Sequence, residues 1–215
     1  MNDDPFRTLQ GAPKLLAPVA VAYNRRLDEW GAQARGVFWR NEEGQRLRFE
    51  VLARALDGAP AGSSVNDLGC GYGAFFDFLA GHPALAAGHF YGYDISEDMI
   101  ETAKERISDP RARFVQALVA TETADFSFAS GTFNMNLDAD VTAWKEYVEA
   151  SLAHLWSRTR QALGFNMLAG NDFNREGLFY AEPRRFLKFC RERLNPSATL
   201  IEDYPLKEWT IIIRR

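Results

Sequence analysis

The sequence predicts an α/β chain: a doubly wound, seven-stranded mixed sheet with an antiparallel C-terminal hairpin and an N-terminal helical extension. Three observations predict it. From residue 62 onward, short β-rich runs alternate with helix-periodic segments, the pattern of a mainly parallel sheet covered on both faces. The last two β-rich runs are joined by a connection short enough to favour an antiparallel hairpin. The first 60 residues instead read as helices broken by turn residues.

Each element has its own signal. The first helix is read from about Lys14 to Gly31, where Leu15, Leu16, Val19, Tyr23, Leu27 and Trp30 recur at three or four residues. A second runs from about Asn41 to Leu56 on Leu47, Phe49, Val51, Leu52 and Leu56, and Gly58, Pro60 and Gly62 then break the chain. The β-rich runs fall at 64–68, 89–94, 113–116, 125–129, 162–167, 199–204 and 208–213. Between the second and third, Ser96 caps a helix whose first turn carries Glu97 and Asp98, where the helix dipole favours anions. Met99, Ile100, Ala103 and Ile107 line one face of that helix, and Asp109-Pro110 ends it. Val141 to Trp156 reads as a long amphipathic helix. The last helix opens at Pro183, a residue suited to the first helical position, buries Phe186, Leu187, Phe189, Cys190 and Leu194, and stops at Asn195-Pro196. Residues 1–215 are thus expected to form one domain, with a helical extension over 1–60 and a cofactor-binding core over 61–215.

Composition narrows the function. With 215 residues, 47% hydrophobic and 25% charged, the chain buries a large core without disulfides or metals. A net charge of −4 argues against a nucleic-acid partner, which calls for a basic surplus. Cys70 and Cys190 have neither disulfide-framework nor metal-ligand spacing, and they fit a reducing, cytoplasmic setting. Residues 1–10 are polar, unlike a secretory signal, and no apolar run approaches the ~18 residues of a membrane span. No metal is expected, and no pattern speaks to oligomeric state.

The most informative segment is Asn66-Asp67-Leu68-Gly69-Cys70-Gly71-Tyr72-Gly73, which follows a strand and opens a helix. Glycines there allow a tight turn and close approach of a ligand to the backbone. Two adenosine-bearing cofactor classes compete. Gly69, Gly71 and Ala74 match the looser dinucleotide fingerprint, whereas Asp67, Gly69, Gly71 and Gly73 match an acid placed two residues before G-x-G-x-G. Charge separates them. A carboxylate at this loop repels a pyrophosphate but attracts the ammonium and sulfonium of S-adenosylmethionine. Asp94, ending the second strand, suits both ribose hydroxyls of either cofactor, and Ile95 or Met99 suits the adenine face.

Asp67 to Gly73, Asp94 and the terminal hairpin together resemble the class I S-adenosylmethionine-dependent methyltransferases, over roughly residues 40–215. The resemblance implies a Rossmann-like sheet whose last strand is antiparallel. It implies an enzyme that moves a methyl group from S-adenosylmethionine to an oxygen or nitrogen of a small-molecule acceptor, a carboxylate or a glycan precursor among the candidates, by in-line displacement, leaving S-adenosylhomocysteine. Asp67 and the backbone of Gly69, Cys70, Gly71 and Gly73 would hold the methionine end, and Asp94 the ribose. After the third strand come Gln116, Ala117 and Leu118. Leu118 stands where the family often has an acid, so adenine would be held by backbone groups and apolar contact. Ser130 and Gly131 would line the methyl-transfer site, and Arg48 would reach the cofactor carboxylate, as an N-terminal helix arginine does in some members.

Acceptor contacts are sought where open α/β sheets bind ligands, beyond the carboxyl ends of the strands. Trp39, Asn134, Asn166, Asn171, Tyr180 and Tyr204 are the candidates. Each feature has a plain structural alternative. Arg48 equally suits a solvated helix face, Cys70 a small buried filler, and His82, His89 and His154 structural roles. Arg184, Arg185, Lys188, Arg191 and Arg193 read as the solvated face of the last helix. No general base is identifiable. The Asn/Asp-Pro-Pro-Tyr/Phe motif of adenine methylation and the Pro-Cys dipeptide of cytosine methylation are both absent. Three other readings stay open: a non-catalytic S-adenosylmethionine-binding regulatory domain, a nicotinamide-dependent oxidoreductase, and a nucleic-acid methyltransferase, which would show salt-sensitive binding.

Overall fold

The computed structural model describes residues 5–170 and 174–215. Seven strands form one sheet in the order β3-β2-β1-β4-β5-β7-β6. They are β1 (Ser64–Leu68), β2 (His89–Asp94), β3 (Ala112–Gln116), β4 (Ala124–Ser130), β5 (Thr159–Leu168), β6 (Thr199–Ile201) and β7 (Glu208–Arg214). β1 to β5 pair in parallel, and β7 enters antiparallel between β5 and β6. The Rossmann-like mixed sheet with its antiparallel hairpin is therefore present as expected. β6 is shorter than the 199–204 run: pairing with β7 ends at Ile201, and beyond it the Tyr204 hydroxyl hydrogen bonds to Thr210 Oγ1 at 2.9 Å.

The helices are α1 (Pro5–Trp30), α2 (Glu42–Ala53), α3 (Ala74–Leu79), α4 (Glu97–Arg106), α5 (Val141–Ser157) and α6 (Pro183–Phe189). Side-chain caps start most of them. Asn41 accepts from Gly44 N, Ser96 from Met99 N, Asp140 from Ala143 N, and Glu182 from Arg184 N and Arg185 N. A π-helical turn, Cys190–Leu194, carries α6 to the stop at Asn195. Arg184, Arg185, Lys188, Arg191 and Arg193 are all exposed there, as a solvated face requires.

α1 begins nine residues before the expected Lys14, in spite of Pro13 and Pro18 inside it. Both prolines lie on its exposed face, while Leu9, Ala12, Leu16 and Val19 continue the buried stripe. Packing of that stripe outweighs the backbone bonds the prolines remove.

Two apolar layers sandwich the sheet. One joins α1, α5 and α6 to sheet residues such as Phe165, Trp209 and Ile211, with Trp144 at its centre. The other joins α2, α3 and α4 to Val65, Phe90, Phe126 and Phe128. The two N-terminal helices are thereby placed on opposite faces, and the segment between them crosses the carboxyl edge of the sheet. That segment holds a 3-10 turn, Ala34–Val37, absent from the sequence reading. Phe38 follows it in the left-handed region (φ 64°), which reverses the chain and delivers Trp39 to the edge. Among the described residues, no helix is long and apolar enough to cross a membrane.

Candidate active site

A cavity lies where β1, β2 and β4 end, the expected position in an open α/β sheet. Its floor is the turn after β1. Gly69, Gly71 and Gly73 all have positive φ (75°, 52° and 87°), a path that side chains resist. At Gly69 there is also no room, since an added Cβ would sit 2.6 Å from Thr132. Thr132 is held in that position by its own hydroxyl, which donates to the Leu68 carbonyl at 2.7 Å. The loops after β1 and β4 are thus locked together.

Two acids face the cavity. Asp67 is 2% exposed, and among the described residues no hydrogen bond or cation meets its carboxyl. Burial, reinforced by the charge of Asp94, pushes it up to about 8. Asp94 is differently placed. Its two oxygens accept from Gly71 N and Ser96 N, both at 2.9 Å, and these bonds work against the rise that burial causes. The Ile95 backbone N–H works in the same direction, and a carboxylate, with about four acceptor sites, retains capacity for a further donor.

Walls come from the edge-crossing segment and from helices. Leu16, Val19 and Tyr23 reach in from α1, Gln45 and Phe49 from α2, and Tyr147 from α5. Trp39 closes the side above β4 so tightly that a Cβ on Gly131 (φ 70°) would lie 2.3 Å from its ring.

Of the residues singled out in the sequence, Trp39, Asp67, Gly69, Cys70, Gly71, Asp94, Ile95, Ala117, Leu118, Ser130 and Gly131 line this cavity together. Others stand elsewhere. Gly73 packs against Ile107 and Phe114. Met99 lies beneath Gly71 in a small cluster with Leu27 and Tyr72. Gln116 is exposed and donates to the Ile95 carbonyl at 3.2 Å. Arg48 is not among the lining residues: its Nε lies 2.9 Å from Glu208, its Nη1 donates to the Gly44 carbonyl at 2.6 Å, and its guanidinium lies over the Trp39 ring at 3.9 Å.

The proposed acceptor residues also have other partners. Asn166 Oδ1 accepts from Gly131 N at 2.6 Å and Asn134 Oδ1 from Leu168 N at 3.1 Å, so both act as struts behind the loop after β4. Tyr180 accepts from Arg175 N at 3.0 Å, and Tyr204 belongs to the terminal hairpin. Asn171 lies outside the described residues. None of the three histidines lines the cavity. His82 caps a turn by accepting from Ala84 N, and His154 is buried on α5.

The sequence reading missed Leu16, Val19, Tyr23, Gln45 and Tyr147 as lining residues. For Tyr23 the signal was present, as a polar tip on the apolar stripe of α1. For Gln45 and Tyr147 there was none short of the tertiary fold. Among the described residues no group of three or more His, Cys, Asp or Glu can hold a metal.

A parallel sheet with one antiparallel strand, a glycine turn after β1 and acids at the ends of β1 and β2 define a Rossmann-like, adenosine-binding transferase site. Comparison with known proteins agrees. Residues 65–162 match the methyltransferase domain family. Rv1506c of Mycobacterium tuberculosis (strain ATCC 25618 / H37Rv), named as a methyltransferase, is 36% identical over 156 residues, covering 71% of this chain and 93% of its own. Among solved structures, N-methyltransferase NodS from Bradyrhizobium japonicum WM9, in complex with S-adenosylhomocysteine, superposes with a TM-score of 0.64 at 16% identity, over 89% of this chain and 97% of that one. The 1,6-didemethyltoxoflavin-N1-methyltransferase of Burkholderia thailandensis, with its acceptor and S-adenosylhomocysteine bound, gives 0.61 at 17% identity, over 96% and 89%.

The chain belongs to the class I S-adenosylmethionine-dependent methyltransferases. Its own residues fit that cofactor. An unpaired buried carboxyl suits an ammonium, and the glycine turn leaves open backbone where a side chain would intrude.

Proposed function

We propose that this enzyme methylates an uncharged small molecule, and that Asp67 and Asp94 are its principal cofactor-binding side chains. The observation that carries the reading is the Asp67 carboxyl, buried and unpaired at the floor of the cavity. A buried acid in that state favours a cationic ligand and disfavours a pyrophosphate, which counts against the nicotinamide alternative.

S-adenosylmethionine, when bound, supplies a methyl group on a sulfonium whose departure leaves a neutral thioether. The chain's residues position and enclose. Asp67 would pair with the ammonium, and Asp94 would accept from the ribose hydroxyls with its remaining acceptor capacity. Ile95, Ala117 and Leu118 offer adenine an apolar face. Trp39, with Gly131 beneath it, walls the side above β4 and excludes water, which strengthens the remaining polar contacts.

The acceptor class follows from what lines the cavity. Among the described residues no lysine, arginine or histidine does, so an anionic acceptor would find no counter-charge from them. Among the described lining residues the two acids, Asp67 and Asp94, are committed to the cofactor in this reading, and the hydroxyls are poor bases. Burial pushes Tyr147 up to about 12 and raises Tyr23 further, so both hydroxyls hold their protons at neutral pH. The acceptor must bring a nucleophile that attacks without prior proton removal, such as a weakly basic amine or a ring nitrogen.

The test is release of S-adenosylhomocysteine from S-adenosylmethionine in the presence of pooled neutral heteroaromatic amines, matched carboxylated analogues, or RNA. Turnover confined to the neutral pool supports the reading. Turnover only of the carboxylated pool or of RNA refutes it.

A further inference from the structure

Resting on the S-adenosylmethionine reading, we propose that Gln45 is the residue that recognises the cofactor's carboxylate, so that a neutral amide stands where a cation would be sought. Gln45 is 7% exposed, lies one turn into α2 and lines the same cavity as Asp67. The Tyr72 hydroxyl, from the glycine turn itself, donates to Gln45 Oε1 at 3.2 Å. That bond orients the amide. The opposite group, Nε2 with its two N–H donors, has no partner among the described residues.

The competing cation is removed by the fold. Arg48, one turn further along α2, is bound to Glu208, to the Gly44 carbonyl and to the face of Trp39. The ammonium and carboxylate of an amino-acid group share one carbon, so their partners must stand side by side. Among the described residues of this cavity the unpaired acid is Asp67, and the side-chain donors that lack a partner include the Ser130 hydroxyl and the Gln45 amide. Of the two, Gln45 alone offers a pair of N–H groups, and Tyr72 anchors it to the glycine turn.

The choice of an amide has a physical logic. An arginine beside Asp67 would pair with it and cancel the charge that draws the ammonium. An amide donates to the carboxylate without competing for Asp67. The arrangement also makes the carboxylate a modest determinant of affinity, because the bond is assisted by charge on one side only.

The experiment is titration calorimetry on the full chain, wild type, Gln45→Ala and Gln45→Glu, with three ligands. S-adenosylhomocysteine has both the ammonium and the carboxylate, decarboxylated S-adenosylmethionine lacks the carboxylate, and 5′-deoxy-5′-methylthioadenosine lacks both. Gln45→Ala is expected to weaken S-adenosylhomocysteine about tenfold or more while the other two stay within about twofold. Gln45→Glu should weaken S-adenosylhomocysteine further and tighten the decarboxylated ligand, a reversal that loss of packing cannot produce. Equal weakening of all three ligands by both variants, or no change in any, overturns the assignment. Failure of the wild-type chain to bind any of the three overturns the cofactor reading itself, and the wild-type titrations alone reveal that case.

Discussion

Replacing Asp67 by asparagine should stabilise the ligand-free protein and cripple cofactor binding, and the two effects have one cause. In the folded chain the Asp67 carboxyl is pushed from its ordinary 3.8 up to about 8 by burial and by Asp94. The folded state therefore holds a proton that the unfolded chain has already released. Stability falls as pH rises through that window, from about 4 to about 8, and the loss is complete above it. At about 1.4 kcal/mol per pH unit, the full interval is worth on the order of 5 kcal/mol. Asparagine keeps the shape without the charge and removes this slope. Water entry and local relaxation reduce the penalty in real proteins, but half of it still moves the melting temperature of a chain this size by about 5–10 °C. Thermal melts of both ligand-free proteins from pH 5 to pH 9 should show the variant gaining on the wild type by at least about 5 °C across the range. S-adenosylhomocysteine affinity at pH 8 should meanwhile fall at least about tenfold, because its ammonium loses its counter-ion. A difference in melting temperature that is the same at every pH, or a variant that binds S-adenosylhomocysteine as tightly as the wild type, would refute the reasoning.

The same proton predicts a calorimetric signature: near pH 7, binding of S-adenosylhomocysteine should release close to one proton per site, read from the dependence of the binding enthalpy on buffer ionisation heat. Arg48→Met should cost about 3–5 kcal/mol in denaturant unfolding by stranding the buried Glu208, whereas Arg48→Met/Glu208→Gln should recover most of the loss. The S-adenosylhomocysteine affinity of the double variant, measured well below its melting temperature, should match the wild type; a tenfold loss would place Arg48 in the cofactor site after all. Gly131→Ala should destabilise by more than its positive φ alone explains, since Trp39 occupies the space of the new methyl, and Trp39→Ala should relieve the excess in a double-mutant cycle. Additive effects would mean that Trp39 does not press on Gly131 in solution.

Much of the fold was legible because its strands are short β-rich runs bounded by breakers, and those boundaries are local. β1 and β2 fall at the expected residues, and the hairpin at β6 and β7 follows from the shortness of its connection. α1 was harder. The periodic stripe was read from about Lys14, yet Leu9 and Ala12 continue it and carry the helix back across Gly11 and Pro13. That decision belongs to packing against α5, which no local pattern encodes.

The cofactor half of the site was legible for a related reason. Its residues sit in the turns directly after strands, so knowing the strands locates them. The remaining lining comes from the N-terminal helices, and there residue type misleads. Arg48 carries the charge that a search for a carboxylate partner looks for, but Glu208, 160 residues away on β7, takes it. This capture does more than relocate one side chain. By holding the guanidinium over the Trp39 ring, it keeps Arg48 out of the lining, so that among the described residues no cation lines the cavity and Asp67 is left unpaired for a positively charged ligand. The pairing of charges across the whole chain, rather than their presence in a motif, determines what the cavity attracts. Gln45 comes into view only once Arg48 is accounted for, since a neutral amide acquires a role when the nearer cation is already bound.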